Sequence, residues 1–134
     1  MIFFDTNVLV YAIINQDSVK QKLAEKLIED AIAKRQLVIS PLVLSEMVFV
    51  LAKLGQFPAQ KASALFFQKF STPAIEKIDV AEAMRIALAL DCGKSINDLV
   101  HLVHAERHGC EKILTFDKGF SRFVGQTSID LVVM

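Results

Sequence analysis

The sequence predicts an α/β domain built in three layers, a mostly parallel sheet between helices. Three observations predict it. Ile2, Phe3 and Phe4 form an apolar run without alternation, as expected of a strand buried on both faces of a parallel sheet. Further short apolar runs are separated by segments of helical periodicity, the pattern of βα units. Two runs also deliver an aspartate at their carboxyl ends, Asp5 and Asp117. In open parallel sheets the ligand crevice lies at those strand ends.

The 134 residues suit one domain spanning 1–134, long enough to bury roughly two-thirds of the surface its unfolded chain exposes. Hydrophobic residues make up 53% and mean hydropathy is +0.42, high for a small domain. No apolar run approaches the roughly eighteen residues of a membrane span, and no basic segment precedes a cleavage site, so neither a span nor a signal peptide is expected. The apolar excess is read instead as oligomer or partner surface. Fifteen basic residues balance fifteen acidic ones, which excludes a general, non-specific nucleic-acid binder. Any contact with nucleic acid must use a local patch or metal ions. Cys92 and Cys110 have no metal-ligand spacing, and reduced thiols in a cytoplasm are expected.

After the first strand, Ser18 to Lys34 carries Leu23, Ala24, Leu27, Ile28, Ala31 and Ile32 at helical spacing. Leu37 to Ile39 reads as a second strand, and Ser40-Pro41 as a helix start with serine as cap. The helix that follows, to about Leu54, is apolar almost all round, interrupted by Ser45, Glu46 and Lys53. A carboxylate there is costly unless paired, protonated or metal-bound, so Glu46 is read as facing inward. Gly55 ends the helix, and Pro58 is expected to begin another through Phe70, with Ala62, Leu65, Phe66 and Phe70 as its stripe. Phe67 falls beside the stripe, as partner surface or ordinary core. Ile75 to Ile78 reads as a third short strand, Val80 to Leu90 as an amphipathic helix, and Ser95 to Asp98 introduces a helix to His108. Lys112 to Thr115 is a strand running into Asp117, and Ile129 to Met134 a closing edge strand.

Asp5 and Asp117 stand at strand ends, Asp98 at a helix start and Glu46 in an apolar helix. Strand ends and helix starts share one side of a parallel sheet, so the four are expected to converge. Two unit charges about 4 Å apart interact by roughly 4 kcal/mol at an effective dielectric of 20. Such a cluster must take up protons or a cation. Oxygen donors favour hard ions, Mg²⁺ or Mn²⁺, which activate water and neutralise charge on a phosphate. Metal-dependent phosphodiester hydrolysis is the chemistry that follows.

FFDTNVLVYA, the lone glutamate in SPLVLSEMVFVL, NDLVHLVHAERHG and ILTFDKGF together resemble the PIN-domain ribonucleases, and among them the VapC-type toxins of toxin–antitoxin pairs. The resemblance covers essentially the whole chain. It implies a PIN-like three-layer sandwich and an endoribonuclease whose acidic positions are Asp5, Glu46, Asp98 and Asp117, holding one or two Mg²⁺ or Mn²⁺ ions. Thr6 and Asn7 match the opening motif. Thr115 matches a hydroxyl residue that would hydrogen-bond the pocket or the phosphate. A homodimer and a small antitoxin whose tail blocks the cleft are also implied.

His101, His104 and His108 recur at helical spacing on one side of the helix after Asp98. They would serve as a zinc site or RNA contacts, but their face is read as turned from Asp98, a solvated or partner-facing strip. Lys94, Lys118 and Arg122 are placed near the pocket mouth, as contacts to RNA phosphates or ordinary surface charge. A haloacid-dehalogenase-type phosphatase would need an acid where Asn7 stands, and a response-regulator receiver would need paired acids at the first strand end. A PIN-fold binding module with little cleavage is the remaining alternative.

Overall fold

Phe3 and Phe4 lie at the centre of a sheet in the computed structural model, which describes residues 1–134. The chain runs β1 (Ile2–Phe4), α1 (Thr6–Ile13), α2 (Ser18–Ala33), β2 (Leu37–Val38), α3 (Pro41–Lys53), α4 (Lys61–Gln68) and α5 (Lys77–Leu90). A 3₁₀ turn (Gly93–Ser95), α6 (Ile96–Arg107), β3 (Lys112–Thr115), a 3₁₀ segment (Lys118–Gln126) and β4 (Asp130–Val133) complete it. The strands are all parallel in the order β2-β1-β3-β4. Phe3 pairs with Val38 on one side and Ile113 on the other, so β1 is flanked on both edges and its side chains are buried on both faces. The result is a three-layer α/β/α sandwich, as the unalternating apolar run predicts.

The strand order fixes where a site must form. From β1 the chain crosses to β2 in one direction, and from β2 it returns past β1 to β3 in the other. Right-handed crossovers in opposite directions leave helices on opposite faces and open a crevice between β1 and β3 at their carboxyl ends. Asp5 ends β1 and Asp117 follows β3 by two residues.

Local chemistry sets the element boundaries. Asp17 caps α2, its Oδ1 accepting the N–H groups of Val19 and Lys20 at 3.0 and 3.1 Å. Ser40 caps α3 through Val43 N–H, with Pro41 in the first position, as the sequence indicates.

Three expectations are corrected. Pro58 does not begin a helix; residues 57–60 form a turn in which Gln60 N–H bonds the carbonyls of Gln56 and Phe57, and α4 starts at Lys61. Its buried face is also shifted by one residue. Phe67 is the side chain it buries, whereas Leu65 and Phe66 are exposed. Apolar residues surround this short helix, so spacing alone did not choose the face. Ile75 to Ile78 is not a strand, because Asp79 reaches back to accept Glu76 N–H at 2.9 Å and starts α5 at Lys77.

The same Asp79 organises the α5–α6 layer. It is fully buried, and its Oδ2 also meets His104 Nδ1 at 2.9 Å while Oδ1 accepts from Arg107. His104 Nε2 lies 2.8 Å from the Thr72 hydroxyl. Burial opposes the charge on Asp79, but the bonds from His104, Glu76 N–H and Arg107 hold its carboxyl below the usual carboxylate range. Its stabilisation is therefore present at neutral pH and is lost as the pH falls through that depressed value. The solvated-strip reading of the histidines fails here: His101 and His104 are completely buried, and only His108 is exposed. Residues 99–105 are buried without a break, so α6 is enclosed on every side. Asp79→Ala should leave the buried His104 Nδ1 without its partner and lower stability by about 1–3 kcal/mol in urea unfolding at pH 7. A loss below about 1 kcal/mol would show the network to be dispensable.

Candidate active site

The motif Asp5-Thr6-Asn7 turns β1 into α1, and each residue of it holds a different part of the site. Asp5 is 4% exposed. Its Oδ1 accepts Thr6 N–H at 2.7 Å, and its Oδ2 accepts Asn7 Nδ2–H at 2.9 Å and the Thr115 hydroxyl at 2.6 Å. Thr6 donates its hydroxyl to Glu46 Oε2 at 2.6 Å, joining α1 to α3. Asn7 accepts Phe116 N–H at 3.0 Å, closing β1 against the end of β3. Thr115 also accepts from Asn7 Nδ2 and from Asp117 N–H. One buried hydroxyl thus fixes Asp5, Asn7 and Asp117 together.

Asp5, Thr6, Asn7, Glu46, Asp98 and Asp117 line a single pocket of about 430 Å³. Glu46 faces inward, as its place in an apolar helix suggested. Asp98 enters from the first turn of α6. Asp117 is exposed, with Oδ1 tied to Gly119 N–H at 2.8 Å. Lys94 and Arg122 are not in this lining; they border a second cleft with Asp91, Cys92 and Ser95, where Arg122 bonds the Ser95 hydroxyl. Lys118 is exposed beside Asp117. Tyr11 of the pocket wall carries the Lys20 ammonium on its ring, 4.8 Å from its centre.

His101 is the residue that sequence reasoning turned away from the site. It lies one turn beyond Asp98, with Nε2 3.1 Å from Glu46 Oε2 and 3.9 Å from Asp5 Oδ1. The signal available was its spacing of three residues from Asp98, which puts both on neighbouring parts of one helix face.

A model of the PIN domain matches residues 2–125. The chain belongs to the PIN domain family. No curated protein matches it significantly in sequence. Among solved structures this PIN domain is similar to VapC20 of Mycobacterium tuberculosis, a Sarcin-Ricin loop cleaving toxin. The two share 18% identity and a TM-score of 0.71 over 97% of this chain and 99% of that one. It is also similar to a chain of VapBC2 from Rickettsia felis, solved bound to a DNA fragment from its promoter, at 21% identity and a TM-score of 0.68, covering 98% of this chain and 97% of that one. A toxin–antitoxin complex from Klebsiella pneumoniae gives 20% identity and a TM-score of 0.65 over 96% and 95% of the two chains. At these identities the likeness is one of fold.

The electrostatics of this PIN domain separate its carboxylates. Burial raises the pKa of Asp5 above the ordinary value, with the Glu46 charge adding to it and His101, Thr115 and Thr6 opposing it. Burial and the charges of Asp5 and Asp117 push Asp98 up to about 6. Burial works the same way on Glu46, but the His101 and Thr6 bonds outweigh it and hold Glu46 below its ordinary value. The donors fit a divalent cation: oxygens from separate elements surround one pocket, and their mutual repulsion is what a cation would relieve. Asn7, spent on Asp5 and Phe116, offers no second acid for a haloacid-dehalogenase mechanism.

Because the folded-state value of Asp98 lies above its unfolded value of about 3.9, its charge reduces stability at neutral pH, and the penalty vanishes at low pH. Metal-free Asp98→Asn should be more stable than the native protein at pH 7 by about 1 kcal/mol, allowing for solvent that still reaches the group. The difference should close by about pH 4. Denaturant unfolding at the two pH values measures it, and no gain at pH 7 would mean that the carboxylates do not press on one another.

Proposed function

We propose that this PIN domain is a metal-dependent endoribonuclease, the toxin of a toxin–antitoxin pair. The observation that carries the reading is the convergence of Asp5, Glu46, Asp98 and Asp117 on one pocket at the strand-order switch. Asp5, Asp98, Asp117 and Glu46 would hold Mg²⁺ or Mn²⁺, which supplies an acidified water and neutralises charge on the scissile phosphate. Asp5 is oriented for this by three hydrogen bonds and Glu46 by the Thr6 hydroxyl. Thr115 is fully buried with its hydroxyl engaged, so its role is positioning and not contact with RNA. Lys94, Lys118 and Arg122 would meet backbone phosphates beyond the pocket. The reading sets the protein in a cytoplasm, in keeping with its two free cysteines; no helix is long and apolar enough to cross a membrane.

The antitoxin is the partner proposed for an apolar groove of about 630 Å³ between α3 and α4, bordered by Leu44, Met47, Val48, Phe57 and Leu65. Complexes among the similar structures support such a partner. A second copy is proposed on α5. Lys77, Val80, Met84, Leu88 and Asp91 form one exposed strip opposite the buried Ala83 and Ile86. An antiparallel copy related by a twofold axis at Met84 sets Val80 against Leu88 and Lys77 against Asp91, pairing apolar with apolar and opposite charges at both ends.

Purified protein should cut cellular RNA at discrete positions with Mg²⁺ or Mn²⁺ and not with EDTA. Asp5→Asn and Asp98→Asn should each lower the rate by at least about a hundredfold, the scale of several kcal/mol of charge stabilisation. Equal cutting by the variants would refute the assignment, and RNA binding without cutting would favour a binding module. Met84→Glu should convert a dimer to a monomer in sedimentation; an unchanged mass would remove α5 as the interface.

A further inference from the structure

His101 touches the acidic pocket from behind and stands three residues after Asp98, yet it is not one of the pocket's acids. Its ring is completely buried and leans on Phe3, with centroids 5.6 Å apart and planes at 42°. Nε2 points to Glu46 Oε2 at 3.1 Å and lies 3.9 Å from Asp5 Oδ1, while Nδ1 is buried without any hydrogen-bond partner. Asp5, Glu46 and His101 each present an atom within 4.8 Å of the others, a spacing that also suits a metal ion. The ring is therefore either a ligand or a donor.

The unpartnered nitrogen decides between them. A histidine that ligates through one nitrogen hands the N–H of the other to a carboxylate, carbonyl or water. Nδ1 has no such acceptor here. A proton on Nδ1 alone would bury an unmatched N–H, at a cost of about 1–3 kcal/mol. It would also set the bare Nε2 lone pair against Glu46 Oε2 at hydrogen-bonding distance. The neutral ring with its proton on Nε2 removes both penalties, and a charged ring, which carries a proton on each nitrogen, still removes the second.

We infer that His101 is a positioning residue of the metal site and not one of its ligands: its Nε2–H, with the Thr6 hydroxyl, occupies Glu46 Oε2 and holds that carboxylate beside Asp5. Oε1 is left as the Glu46 oxygen free of both bonds. The donor stands between two carboxylates that otherwise repel, so the pocket keeps its shape before a cation enters. Phe3 fixes the plane of the ring from the core side, which ties the first strand to the aim of a glutamate on α3.

This inference rests on the metal-site reading above, and one experiment separates the two. The histidine side-chain ¹⁵N spectrum is recorded for the metal-free protein and again through a Mg²⁺ titration, with backbone amides at Asp98 and Asp117 reporting the cation. His101 should be protonated at Nε2 throughout. A proton on Nδ1 alone, or loss of the Nε2 proton as Mg²⁺ binds, overturns the proposal. If Mg²⁺ moves no pocket resonance, the metal-site reading fails, while the metal-free spectrum still decides the bond to Glu46. In the same titration His101→Leu should weaken Mg²⁺ binding by about 10–100-fold, and His101→Gln, whose amide nitrogen replaces Nε2, should restore most of it. Equal loss in both variants, or loss in neither, overturns the positioning role. The native spectrum gives its answer even if the leucine variant does not fold.

Discussion

A carboxylate buried at the end of a central strand must find donors for both oxygens, and the way Asp5 finds them shapes everything around it. One oxygen takes the N–H that opens α1, and the other takes Asn7 from the same helix and Thr115 from the neighbouring strand. These bonds do three structural tasks at once. They cap α1, lock β1 to β3 where their hydrogen-bonded ladder ends, and hold the loop after β3 against the crevice. The parallel sheet supplies the place, because only at the reversal of strand order do two neighbouring strand ends lie free of a covering crossover.

The site is electrostatically divided, and the division follows from solvent and hydrogen bonding. Asp5 and Asp98 resist ionisation because they are removed from water and face other carboxylates. Glu46 is as buried as Asp98 but accepts strong donors from His101 and Thr6, so its charge is held. His101 responds in turn: burial disfavours its charge, but Glu46 and Asp5 raise its pKa above the usual imidazole range. These groups titrate as a coupled set, and a divalent cation would reset all of them together. Repulsion of this kind is a standing cost to the fold, accepted where it prepares a site for a positive charge.

Such a pocket needs a rigid frame, and the second polar network provides one. Thr72, His104, Asp79, Arg107 and Glu76 link the segment after α4, the start of α5 and the last turns of α6. Asp98 and His101 lie on the same α6, two turns and one turn before that anchor. The helix presents acid and donor to the pocket from one end while its other end is pinned by the buried Asp79 carboxylate through His104 and Arg107. The two histidines three residues apart thus perform opposite tasks, one holding the pocket and the other the frame.

The four sheet strands, the cap at Ser40 and the positions of the acids were legible in the amino-acid chain. Each depends on neighbours within a few residues: an apolar run, a capping hydroxyl, an aspartate where a strand stops. The inward aim of Glu46 was readable for the same reason, since its helix offers almost no polar face. Tertiary structure alone decided the rest. Around α4 and α6 nearly every face is apolar or is buried despite being polar, so periodicity carried no contrast and misplaced the stripe at Leu65 and Phe66 and the histidines. Asp79 could not be told from a surface acid, because the partners that let it stay buried stand 25 and 28 residues away. Thr115 meets Asp5 across 110 residues. Burial of a polar side chain depends on partners brought together by the fold, and a local pattern does not contain them.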